Sequence, residues 1–208
     1  AEAADSEVRA VVITGAGRGF CSGQDLKEFS ELPEGGIRAA LEETYHPNIR
    51  AIRSLEKPVL AAVNGAAAGA GLSLAAACDV RIASDAATFV PGFIGIGLIP
   101  DSGGSWFIHR ILGARAFEWM VSNRRLSATE ALEWGLVSEV VAADAFEARV
   151  AVDSTTDAEA LRRAGVALSG HYGSERRATG TADAWAAAVD FGARRDWLGV
   201  AGEIFSGR

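Results

Sequence analysis

The sequence predicts an α/β fold. Short β-branched apolar runs recur along the chain, glycine-rich loops punctuate them, and helix-patterned stretches lie between. The chain has 208 residues, 49% of them hydrophobic, enough for one large core in a single domain and too apolar for extended disorder. No repeat or clean linker divides it.

Residues 8–14 (VRAVVIT) read as a buried strand running into the loop Gly15-Ala-Gly17-Arg-Gly19. From 35 to 56, Ile37, Leu41, Ile49, Ile52 and Leu55 recur at helical spacing. Pro47 falls in the middle and is expected to start a new helical segment, where its missing N–H is harmless. Pro58 precedes a second strand, VLAAV, at 59–63. The run AAAGAGLSLAAACD then predicts a helix of small residues after Asn64-Gly65, ending near Asp79 and able to approach another backbone closely. Strands follow at 79–83 (DVRIA) and 87–90 (ATFV). A second glycine-rich loop, Pro91 to Gly104, opens a helix over 103–111. Ser127 and Glu130 have capping-box spacing before ALEWG, Gly135 suits the C-terminal cap, and 136–141 (LVSEVV) is strand-like. Beyond 145 the chain is Ala-rich and reads as helical. The expected organisation is a core over 1–141 and a C-terminal helical segment over 142–208 that caps the site or joins copies.

A net charge of -7 with scattered Lys and Arg argues against a nucleic-acid partner. Two cysteines, Cys21 and Cys78, and three distant histidines give no metal-ligand spacing. The absence of a signal-like segment or a membrane-length apolar run makes a cytoplasmic protein without a membrane partner the default expectation.

Three features could converge on one pocket. In Gly19-Phe-Cys-Ser-Gly-Gln-Asp25, a glycine at 23 permits an unusual backbone angle that could aim the Gln24 N–H at a ligand. At Gly69-Ala70-Gly71 a helix start offers unpaired N–H groups and the positive end of its dipole. Two such donors together could stabilise an oxyanion. The third feature is Asp101 in Pro100-Asp-Ser-Gly-Gly104, which reads either as the N-cap of the following helix or as a base beside a substrate proton.

Four blocks resemble the crotonase (enoyl-CoA hydratase/isomerase) superfamily in order and spacing: GRGFCSGQDLKEF, EKPVLAAVNGAAAGAGLSLAAACDVRIAS, FVPGFIGIGLIPDSGGSWFIHRILG and SATEALEWGLVSEVV. The resemblance implies a ββα superhelix and a coenzyme A thioester bound with its carbonyl oxygen between the peptide N–H groups of Gln24 and Ala70. It implies CoA contacts from Ser22, Gly23, Asp25, Leu26 and Lys27, with Lys27 near phosphate. Coenzyme A enters as part of the substrate, with no tightly bound cofactor or metal, and a homotrimer or hexamer is implied. It also implies that the chain begins inside the usual domain, without its first strand and helix.

Hydratases of the superfamily hold water with two glutamates, and the matching positions here are Ser73 and Phe93, neither able to serve as a base. Asp101 matches the aspartate of some isomerases, and GLIPDSGG most resembles the branch associated with aryl-acetate degradation. The expected chemistry is therefore isomerisation: a double-bond shift, or rearrangement of a ring-epoxide thioester, with Asp101 moving the proton. His46 and Asp101 also match positions of a dehalogenase branch, which has tryptophan where this chain has Phe93. A noncatalytic acyl-CoA-binding homologue is the third reading.

Overall fold

The structure, a computed structural model, describes residues 10–25, 36–56, 58–146, 149–150 and 198–199. The chain alternates between two sheets. Strand β1 (Val11–Thr14) lies in the first, and a turn at 15–18 carries the chain into β2 (Gly19–Cys21) of the second. The pattern repeats with β3 (Val59–Val63) and β4 (Ala66–Ala68), and again with β5 (Val80–Ser84) and β6 (Thr88–Val90). Helices fill the intervals between these strand pairs, which gives a strand–strand–helix superhelix.

The first sheet has the order β8-β5-β3-β1-β9, where β8 is Glu139–Val141 and β9 is Leu198–Gly199. All its pairs are parallel, with Val11 opposite Val59, Leu60 opposite Val80 and Ile82 opposite Glu139. In the second, β2, β4 and β6 are parallel, while β7 (Leu126–Ser127) closes the edge antiparallel to β6. The central strand β3, VLAAV, is apolar and buried throughout because both faces of the sheet are covered there. Val11, Ile13, Val59, Ala61 and Val63 point to the larger core cluster, whereas Val12, Leu60, Ala62, Val80 and Ile82 pack with Phe146 and Val150 on the other side. A period of two thus divides β1, β3 and β5 between two cores.

The helical stretch expected over 35–56 comprises α1 (Gly36–Ala40), a wide π turn (Leu41–Tyr45) and α2 (His46–Ser54). Pro47 explains the interruption, since it cannot donate to the carbonyl one turn back and its ring crowds that carbonyl. The His46 N–H bonds instead to the Leu41 carbonyl, five residues back. α2 then runs on from Pro47 in its first turn, as the spacing predicts.

Two expectations need correction. The run AAAGAGLSLAAACD is not helical throughout: Ala66–Ala68 form β4, and the helix α3 is confined to Ala70–Ala77. Alanine's helix preference is outweighed here by pairing to strands on both sides. Near the C-terminus, within the stretch beyond 145 that reads as helical, Leu198–Gly199 instead pairs with Ile13 and Thr14, using the outer edge of β1.

After β6 come a short 3-10 turn (Ile94–Ile96), α4 (Gly104–Leu112), α5 (Arg115–Ser122) and α6 (Ala128–Glu133). The capping box on α6 forms as expected. The Ser127 hydroxyl accepts the Glu130 N–H at 3.2 Å, and the Glu130 carboxylate accepts the Ser127 N–H at 2.9 Å. That backbone bond, with Arg124 and the Ser127 hydroxyl, holds the Glu130 carboxyl down to about 2.

Candidate active site

The first wall of the site is built from backbone. β2 ends at Cys21, and Gly23 then turns with φ +84, a left-handed conformation that glycine adopts without a steric penalty. A Cβ at Gly23 would lie 2.9 Å from the Ala68 carbonyl oxygen and 3.1 Å from the Ala70 nitrogen. The loop carrying Gln24 therefore presses on the loop that opens α3. A second approach is closer still, for a Cβ at Gly71 would stand 2.1 Å from the Cys21 carbonyl oxygen.

Ala70 is the first residue of α3, so its N–H has no acceptor one turn back within the helix. The first bond of that helix runs from the Ser73 N–H to the Gly69 carbonyl at 3.1 Å. The positive end of the α3 dipole faces the same place. On the other loop, the Tyr45 hydroxyl donates to the Gln24 side-chain oxygen, which ties that loop to the π turn before α2.

The second wall carries the carboxylate. Asp101 does not cap α4: the N-cap is Gly103, in the left-handed region with φ +79, and no side chain caps that helix end. The Asp101 backbone carbonyl closes the turn by accepting the Gly104 N–H at 2.6 Å and the Ser73 hydroxyl at 3.1 Å. Its carboxylate is left facing its surroundings and accepts the Ser102 hydroxyl at 2.9 Å. Burial pushes the Asp101 carboxyl above its ordinary value, and the Ser102 hydrogen bond and the charge of His46 oppose that rise. His46, in the first turn of α2, thus bears on Asp101.

Ser73 links the two walls. It lies three residues beyond Ala70 on α3, a rise of about 4.5 Å, so the main chain of Asp101 is bonded one helical turn from the Ala70 N–H. Ser73 is itself fully buried, and its hydroxyl oxygen would be 2.5 Å from a Cβ at Gly104. It supports the aspartate from behind. Phe93 is 5% exposed and Phe89 fully buried, so both belong to the apolar packing around β6 and the following turn. Ser22 and Asp25 are exposed at the loop surface, with Gly23 and Gln24 half-buried between them. Leu26 and Lys27 lie outside the described residues.

The structure therefore brings Gln24 beside the Ala70 loop, and Ser73 and His46 beside Asp101. Sequence reasoning passed over Ser102 and the Tyr45 contact. The sequence carries no signal for either: the φ of +49 that singles out Ser102 belongs to the folded chain, and spacing says nothing of the Tyr45 contact. Among the described residues no three His, Cys, Asp or Glu side chains gather where they could hold a metal. Within the same residues no helix is long and apolar enough to cross a membrane.

Two sheets wound by strand–strand–helix units around a glycine-pinched wall define a crotonase-like fold. Residues 2–176 match the Enoyl-CoA hydratase/isomerase family, and the chain belongs to it. It is 45% identical over 141 residues to the 1,2-epoxyphenylacetyl-CoA isomerase of Escherichia coli (strain K12), covering 66% of this chain and 54% of that protein. It is 41% identical over 150 residues to 4-chlorobenzoyl coenzyme A dehalogenase-1 of an Arthrobacter species, covering 70% and 54%. Among solved structures, an enoyl-CoA hydratase from Bacillus anthracis superposes with a TM-score of 0.68 at 35% identity, covering 81% of this chain and 62% of that one. The chain thus spans about half the length of the curated relatives it matches.

Proposed function

We propose that this chain carries the site of an acyl-CoA isomerase, which shifts a double bond or rearranges a ring-epoxide acyl thioester. The Gln24 and Ala70 N–H groups receive the thioester oxygen. As negative charge grows there, the neighbouring C–H becomes acidic, and Asp101 takes that proton and returns it at another carbon. The electron pair passes from the broken C–H bond into the enolate and back.

One observation carries the reading: the Asp101 carboxylate is not engaged in capping α4, and burial raises its proton affinity toward the range a base needs. Ser73 and Phe93 support isomerisation over hydration, because neither can activate water. The similarity to an epoxyphenylacetyl-CoA isomerase agrees with an aryl substrate.

A second reading has its own observation. His46 bears on Asp101, as a hydrolytic dehalogenase would require if the aspartate attacked an aromatic carbon and the histidine assisted hydrolysis of the resulting ester.

Turnover by the full polypeptide separates these. With 3-enoyl-CoA or dienoyl-CoA thioesters, isomerisation is expected to fall by about 10²- to 10⁴-fold in Asp101→Asn. Full activity in that variant removes Asp101 as base. Chloride release from 4-chlorobenzoyl-CoA favours the second reading, and thioester binding without turnover of any substrate points to a noncatalytic homologue.

A further inference from the structure

Ser102 adopts φ +49, a left-handed backbone conformation that costs a residue with a Cβ and that glycine takes freely. Two glycines, Gly103 and Gly104, come directly after it in the chain. A serine nevertheless occupies the strained position, and it is 2% exposed. Its hydroxyl donates to Asp101 Oδ1 at 2.9 Å. Asp101 Oδ2 accepts no hydrogen bond among the described residues.

We propose that Ser102 is a positioning residue that selects the reacting oxygen of Asp101: its hydroxyl occupies Oδ1, turns the carboxylate, and leaves Oδ2 to take the substrate proton. The assignment rests on Asp101 being the base. In the proton-transfer step a substrate C–H bond breaks, an O–H bond forms at Oδ2 and the electron pair enters the enolate. The same proton then returns to a different carbon. Ser102 keeps its own proton throughout and stabilises the ionised aspartate before each cycle. Strain held at a buried side chain beside a reacting group is a common cost of preorganisation.

Among the described residues, His46 on α2 is the charged group that bears on Asp101. α3 presents Ser73, which does not titrate, and the turn presents Ser102, which does not either. Loss of the Ser102 hydroxyl therefore leaves burial less opposed, and the pH at which Asp101 ionises moves up.

The test separates the hydroxyl from the turn by assaying wild type, Ser102→Gly, Ser102→Thr and Asp101→Asn with a 3-enoyl-CoA thioester, each with a melting curve. Ser102→Gly suits the left-handed backbone but gives up the bond to Asp101, so the two effects offset and it is expected to melt within about 4 °C of wild type. Its kcat should nonetheless fall by about 10- to 100-fold, because the carboxylate is no longer turned so that Oδ2 meets the substrate proton, with KM little changed and the acid limb of the pH profile at higher pH. Ser102→Thr keeps the hydroxyl on a stiffer backbone and should lose melting temperature while recovering kcat. The assignment is overturned if Ser102→Gly retains kcat and the acid limb, or if its loss of kcat accompanies a fall in melting temperature of more than about 8 °C, which would mean that the turn itself has failed. The parallel Asp101→Asn result keeps two failures apart: an active Asp101→Asn removes the base itself, whereas an inactive one beside a fully active Ser102→Gly removes only the role of Ser102.

Discussion

The two walls of the site are made in different ways. The wall of Gly23, Gln24, Gly69 and Ala70 offers peptide groups, and it exists because small residues let two backbones nearly touch. The wall of Asp101, Ser102 and Ser73 offers side chains, held by a hydrogen-bonded turn. A backbone donor tolerates almost any side chain at its own position but no added atom where the chains cross. A side-chain base has the opposite sensitivity.

That difference is broken most severely at the crossing points. Gly71→Ala places a methyl group 2.1 Å from the Cys21 carbonyl oxygen, with backbone on both sides unable to rotate away. We expect a loss of about 3 kcal/mol, at the upper end for overpacking, read as a lower urea midpoint. Gly23→Ala is expected to come next, since it combines φ +84 with a 2.9 Å contact to the Ala68 oxygen. It displaces the Gln24 N–H, and kcat should fall by about 10²- to 10³-fold, the usual cost of one lost oxyanion donor. A wild-type kcat in folded Gly23→Ala would show that the first loop contributes no donor.

How legible each wall was depends on the same contrast. The glycine-rich loops announced themselves because backbone packing leaves its mark on composition. Their convergence did not, since the strands that align them, Gly19–Cys21 and Ala66–Ala68, are three residues long and too short to show alternation. Ala66–Ala68 was further masked by an alanine run with a strong helical bias. The capping box at Ser127 was readable because all its partners lie within one turn. For Asp101 the local pattern alone favoured an N-cap over a base. Separating them required Gly103 to be seen at the cap and Ser73, 28 residues away, to be seen holding the carbonyl. Ser102 was invisible for a similar reason, because a serine after an aspartate means little until its backbone angle is known.

A milder substitution sharpens the comparison from the other side. Gln24→Ala keeps the peptide N–H and removes the side chain to which the Tyr45 hydroxyl donates. The expected decrease in kcat is under about tenfold, far less than for Gly23→Ala, because the donor survives and the loss is confined to loop positioning. Equal damage from the two would mean that the Gln24 side chain, and not its backbone, does the chemistry.

The smallest effect concerns the carboxylate in the absence of substrate. Asp101 is raised above its ordinary value of 3.8 mainly by burial, so the folded protein binds this proton more tightly than the unfolded chain does. Stability linked to the group is fully present below about 3.8 and is lost as pH rises through the interval up to the higher folded value. At neutral pH the ionised aspartate is therefore a net cost to the fold. Asp101→Asn removes the charge and can still accept the Ser102 hydroxyl, so it should melt slightly above wild type at pH 7. The gain should be less than about 4 °C, because partial exposure leaves under ~1 kcal/mol at stake. Near pH 3.5 the two proteins should melt together. An Asn variant less stable than wild type at pH 7 would mean that the charge is compensated in the folded state, and the raised proton affinity on which the base assignment leans would have to be abandoned.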